Sequence, residues 1–515
     1  MIRLFRPPRA FGHCFEEQRL LPTPSLHGQA SFEDSEGMMG QKQGHAAHAT
    51  IRLSKLRRCI AIVGIAILVL LLTAAYRSKS QPQLASDKTG RRNAQILHLV
   101  IPTSDLDPEL CRTVLSAEIL HYPTPTLVRW TAVAGEGLAN AQRRTTAIRD
   151  YLGKLKGHHE NGTVILLDTV STWFQLRPEV LLSSYYGVIH DGNQQLAARL
   201  GVEVMQEEGI QQSIVFATSS TCGAAEEQCS QPPESLMVDK ASWTTAPHYL
   251  DQGVAIGRVR DLFETYRRAV AIIERTEDLH LSELAIFTEI FSKQEYHRGL
   301  LRSSTSSWSE RFHGWLSGSY AHGPLARKNA TGPRHKNNAN EFGIGLDYAG
   351  ELAFDTASNS GTYTWERHAT IPRDILSSMP PFWMTTDSQL SAEKTWSDLS
   401  FLTNSHTQAI PVAVYHHHNN VTDANAHQES WQNFWLSQHS RKLFDAYTSV
   451  PAMPLAAVID HENVDQIFWD TTIGEKAGVK WSNETWVGWN ELCRGEQLAN
   501  EIFGDGLGEW TSPAL

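Results

Sequence analysis

The residues best suited to chemistry gather in the stretch Val164–Glu179. There an apolar run, Val164 to Leu167, ends in Asp168 and is followed by an aromatic turn and a helix opening at Pro178. In an open α/β sheet, ligands collect just beyond the carboxyl ends of the strands. A carboxylate at that place can hold a divalent cation against a diphosphate or accept a hydrogen bond from a ribose. It can equally cap the turn that follows. Farther along, Asp251, Gln252 and Gly253 interrupt a second apolar run, Glu283 stands at the head of a helix, and His416, His417 and His418 end a third run. Imidazoles at a strand end suit manganese-type sites; the same run also fits a solvated loop beside the sequon at Asn420. Asp347 and Asp355 follow a glycine-rich strand and read as turn formers.

These residues belong to a chain of 515, of which 41% are hydrophobic and 20% charged, enough for one large domain or two smaller ones. A net charge of -11 argues against nucleic acid, whose binding needs a basic face. Of the six cysteines, Cys222 and Cys229 close a short polar loop and form a plausible disulfide in an oxidising compartment. With no CxxC pair, a structural zinc site is not expected.

The organisation along the chain begins with residues 1–58, a disordered cytoplasmic tail by composition, within which Met38 or Met39 could be the true start. Residues 59–75 are uncharged and apolar and follow Arg52, Lys55, Arg57 and Arg58. They are short for a spanning helix and long for a signal-peptide core; the basic cluster and long tail favour an uncleaved signal anchor. Sequons at Asn161, Asn329, Asn420 and Asn483 all follow it, as expected for a type II membrane protein with a lumenal body in the Golgi or endoplasmic reticulum. Residues 76–94 read as a polar stem.

Beyond the stem, strands predicted at Ile96–Ile101, Thr126–Trp130 and Val164–Leu167 alternate with helices from Pro108 and from Leu138, the pattern of a parallel sheet covered by helices. Helices over 178–186 and 194–207, a strand at Ser213–Ala217, a glycine-interrupted strand at Tyr249–Gly257, and helices near 262–273 and 282–296 come next. Residues 302–340 read as a long loop, 342–348 and 411–418 contain strand-like runs, and 446–515 form a Trp-rich extension. The expected fold class is α/β.

The order of Leu99–Pro102, Asp168 with Gln175-Leu176 and Pro178, Leu250–Gly253 with Gly257, Phe287 with Gln294–Tyr296, Gly345–Tyr348 and Tyr415–His418 resembles a family of type II membrane glycosyltransferase-like proteins best known from fungi. These are similar to the glycosyltransferase domain of procollagen lysyl hydroxylases. The resemblance covers about 95–445, and Trp173-Phe-Gln-Leu with Pro178-Glu179 is its most specific piece. It implies a GT-A fold that moves a hexose from a nucleoside diphosphate sugar, UDP-hexose in the first instance, to a glycan or glycoprotein acceptor. It also implies Mn2+ or Mg2+ held by an Asp-x-x-Asp pair, which would offset charge on the departing diphosphate. Asp168 matches the first acid, and Ser171 stands at the second; one of His416, His417 and His418 would complete the metal–diphosphate grip. Asp251 to Gly253 replace a family-like Asn-Ser-Gly near the donor sugar, and Glu283 stands near the acid that acts beside the acceptor. The departures at these three segments also fit a non-catalytic lumenal protein of the same fold that serves as a binding or assembly partner.

Overall fold

The computed structural model describes residues 2–4, 95–104, 106, 108–168, 171–222, 248–276, 282–305, 340–359, 361–385, 394–416, 423–449, 454–459, 465–471 and 477–511. The body, from Ala94 onward, is one compact unit. The 59–75 segment lies outside the described residues, among which no helix is long and apolar enough to cross a membrane. Asn329 and Asn420 also lie outside them, whereas Asn161 and Asn483 sit exposed.

Its centre is a large mixed α/β sheet whose middle strands are mostly parallel. Strand Gln95–Thr103 runs parallel to Pro125–Arg129 on one side and to Thr163–Leu167 on the other. Among these central strands Tyr249–Arg258 runs antiparallel, wedged between Thr163–Leu167 and Ile214–Ser219; Ile344–Leu346 then pairs in parallel with Ile214–Ser219. Each central strand is apolar on both faces because both are covered. Leu99, Ile165, Val215 and Ile256 point into one core with the helices Pro108–Ile119 and Pro178–Leu200. Val100, Val164, Phe216 and Ala255 point into the other, with Gly137–His159, Val259–Ile273 and Glu283–Thr305.

The stretch expected as two helices, 178–186 and 194–207, is instead one helix to Leu200 and a short one at Val202–Glu208. Gly192 does not break it: a Cβ there would lie 2.0 Å from Gln212 Oε1, so the glycine is the gap into which that amide fits. Residues after 445 are joined to the body. Asp465–Asp470 pairs with the start of Gln95–Thr103, Gly478–Trp481 pairs with Pro125–Arg129, and a disulfide links Cys111 to Cys493. Cys222 is also disulfide-bonded, while Cys229, its expected partner, lies outside the described residues. Strand Ile2–Leu4 pairs in parallel with Pro454–Ile459 at the edge.

Candidate functional site

The chain leaves Gln95–Thr103 for a neighbour on one side, Pro125–Arg129, and returns to its other side with Thr163–Leu167. Such a reversal opens a crevice at the carboxyl ends of the strands, and Asp168 stands at that edge. Its backbone N–H donates to the Gly253 carbonyl at 2.9 Å, which continues the antiparallel ladder by one step. Its carboxylate forms an ion pair with Arg144, from the first half of helix Gly137–His159. Arg144 Nη2 also donates to the Asp168 carbonyl at 2.8 Å, and Nη1 donates to Glu283 Oε2 at 2.7 Å. Asp168, Arg144 and Glu283 thus form one ion-paired group drawn from three elements.

Burial by itself would lower the Arg144 pKa, but Asp168, Glu283 and the Tyr266 hydroxyl outweigh it and hold it above the usual arginine range. Glu283 is pushed up, first by burial and then by the Asp168 charge, against the pull of Arg144. Tyr266 is likewise raised by burial beside Glu283.

A second, three-stranded sheet closes over this edge. Its members are Thr172–Phe174, Ala413–Tyr415 and Ala353–Asp355, in the order 172–413–353. The pairing of Tyr415 with Thr172 carries one residue further, so that the His416 N–H donates to the Ser171 carbonyl at 3.2 Å. Between the two sheets, the Tyr249 strand bulges: Phe216 faces Ala255 and Ala217 faces Asp251, leaving Gln252 to Val254 out of register with that neighbour. The Asp251 carboxylate accepts from the Gly253 N–H at 2.7 Å, and the ring of Tyr415 lies where a Cβ of residue 253 would be. Burial, then the charges of Asp251 and Asp355, raise the Tyr415 phenol well above its usual range. Only the absence of a side chain at Gly253 permits this approach, and bulges of this kind commonly re-aim residues at sites.

The structure therefore brings Asp168, Ser171, Asp251, Gly253, Glu283 and His416 to one edge, from four widely separated parts of the chain. His417 and His418 lie outside the described residues. Asp347 and Asp355 are spent on turns: Asp347 accepts from the N–H groups of Glu351, Leu352 and Ala353, and Asp355 from those of Ala357 and Ser358. Trp173, in the most specific stretch of the resemblance, is 2% exposed and packs on His427 and Trp431, so it is a core residue and not a sugar platform. Gln175 beside it bonds Leu402 and Pro411 through its amide and bolts the small sheet in place.

Among the described residues, these donors do not fit a divalent-metal centre. Asp168 is already ion-paired with Arg144, which Glu283 shares, Ser171 is uncharged, and His416 engages Thr356 Oγ1 through Nδ1 at 2.9 Å while stacking on His427. Among the described residues, no three His, Cys, Asp or Glu side chains are grouped to hold a metal.

Sequence reasoning missed Arg144, whose neighbour Arg143 looks identical in sequence but bonds outward to Thr131, Glu136 and Asn140. Helical phase was the available signal, since Arg144, Ile148, Tyr151 and Leu152 are the buried stripe. An open groove lined by Gln428, Glu496, Gln497, Asn500 and Glu501 contains none of the predicted site residues. Neither known protein families nor curated proteins give a match to this chain.

Proposed function

We propose that the chain is a glycosyltransferase of GT-A type, taking a hexose from a nucleoside diphosphate donor, UDP-hexose in the first instance, to a glycan or glycoprotein acceptor. The observation that carries this reading is the meeting of Asp168, Ser171, Gly253 and His416 at the carboxyl end of a central parallel strand, beside the reversal of strand order. A mixed sheet whose central strands are mostly parallel, with a second small sheet over its edge, is a suitable frame for a nucleotide. The diphosphate would lie across the Asp168 edge, with the base toward the ends of Gln95–Thr103 and Pro125–Arg129. Asp251, fixed by its bond to the Gly253 N–H, would orient the donor sugar. Glu283, whose pKa burial raises, would accept or share the acceptor's proton. An anchor at 59–75 would hold the body in the lumen of the Golgi or endoplasmic reticulum. The test is release of UDP or GDP from nucleotide hexoses by the full-length chain, together with calorimetric titration of UDP and GDP. A well-folded sample that binds neither nucleotide refutes the reading.

Ser171 in place of a second acid, and the commitment of Asp168 to Arg144, favour a second reading, a non-catalytic lumenal partner of the same fold. Nucleotide binding without turnover of any nucleotide hexose, with a panel of glycan acceptors present, would select it.

A further inference from the structure

We propose that this site takes the diphosphate of its nucleotide without a divalent metal, with Arg144 as the cation and Asp168 as the anion it exchanges; the inference rests on the nucleotide-binding part of the reading above. Arg144 spans two carboxylates, on Asp168 and Glu283, and reaches the Asp168 carbonyl as well. The ion pair is not sealed: the Arg144 side chain is 11% exposed and that of Asp168 20%. Arg144 meets the Asp168 carboxylate through Nη2 and the Glu283 carboxylate through Nη1, and guanidinium N–H groups serve phosphate oxygens as readily as carboxylate oxygens. A diphosphate arriving at the carboxyl edge can displace the Asp168 carboxylate, so the guanidinium changes one anion for another and is never left unpaired. Without a nucleotide, Asp168 joins Glu283 as counterion and keeps a buried cation from costing stability.

The same arrangement explains Ser171. A second carboxylate three residues from Asp168 would strengthen a metal site, but here it would compete with the phosphate for Arg144. A neutral hydroxyl at 171 and an arginine on Asp168 are thus one feature, whereas a metal-based account must treat them as two unconnected defects.

The experiment is calorimetric titration of the full-length chain with UDP and with GDP, each in EDTA and in Mn2+. The dissociation constant of the nucleotide that binds is expected to agree within about twofold between the two conditions. Asp168→Asn removes the competing charge and keeps the shape, so affinity in EDTA is expected to hold or to tighten by up to about tenfold. Arg144→Lys, checked for folding by its melting temperature, is expected to weaken binding by about tenfold or more in both conditions. Should Arg144→Lys fail to fold, Asp168→Asn decides alone. Binding that appears only with Mn2+, or a loss of about tenfold or more in Asp168→Asn, overturns the inference and leaves the transferase reading standing. No binding of either nucleotide overturns both.

Discussion

Gly253→Ala tests whether the two sheets meet as closely as the structure has them. A Cβ at residue 253 would lie 2.1, 2.4 and 2.5 Å from Cε2, Cζ and Cδ2 of Tyr415, against an ordinary contact of 3.4 Å or more. The ring must therefore retreat by more than about 1 Å. It has little room, because Tyr415 is 1% exposed and its backbone is paired to Thr172 on one side and to Asp355 on the other. Overpacking of a core costs about 1–3 kcal/mol, and a clash this deep against a doubly paired strand belongs at the upper end, about 3 kcal/mol. Since His416 follows directly, its hold on Ser171 should loosen with the ring, and nucleotide affinity should fall by about tenfold or more. The assay is urea unfolding followed by tryptophan fluorescence in a double-mutant cycle. Tyr415→Phe keeps all three offending atoms, so Gly253→Ala should cost as much in that background as in wild type. Tyr415→Leu removes Cε2 and Cζ, so there the same change should cost less than about 1 kcal/mol. Equal losses in the Phe and Leu backgrounds, or no loss in wild type, would refute the packing argument.

Three further outcomes are expected. Replacing Cys111 and Cys493 by Ala frees the segment after 445 from helix Pro108–Ile119 and should lower stability by about 3 kcal/mol, read as a lower melting temperature than that of the oxidised wild type; an unchanged melting temperature would show that strand pairing alone holds this segment. His98 has its pKa lowered to about 4, by burial first and by His159 second. The unfolded chain therefore binds the extra proton between about pH 6.5 and 4, so this contribution is complete above pH 6.5 and is lost as pH falls; it amounts to at most about 3 kcal/mol, less for a half-buried ring. His98→Asn should flatten the fall in urea midpoint between pH 7 and 5, and an unflattened profile counts against the assignment. If 59–75 is an anchor with a lumenal body, Asn161→Gln and Asn483→Gln should each remove one glycan's worth of gel mobility. That topology is incompatible with strand Ile2–Leu4 pairing beside Pro454–Ile459, so glycosylated protein should begin at Met38 or Met39 or keep its first residues out of the sheet; N-terminal sequencing and an epitope tag before residue 8 distinguish these outcomes.

Local pattern was enough to place Val164 to Leu167 as a buried strand, Asp168 at its end, and the strand–helix alternation around it, because apolar runs and caps are written in consecutive residues. The α/β class follows from that alternation. Pattern also marked Gly253 as an interruption, but not its reason, since the ring that needs the space comes from Tyr415, 162 positions later. Of the small sheet only Ala413–Tyr415 was legible, inside the strand-like run 411–418; Thr172–Phe174, read as an aromatic turn, and Ala353–Asp355 are three residues each and exist only as its partners. The Trp-rich tail gave no sign that it would pair with the first strand of the body or bond to Cys111. The choice of Arg144 over Arg143 as partner of Asp168 was likewise decided in three dimensions. The sequence by itself determined which residues are able to do chemistry and that a parallel sheet presents Asp168 at its edge. Only the tertiary structure decided that Asp168 shares the Arg144 guanidinium with Glu283, because the charge balance at a site depends on side chains that converge from distant elements.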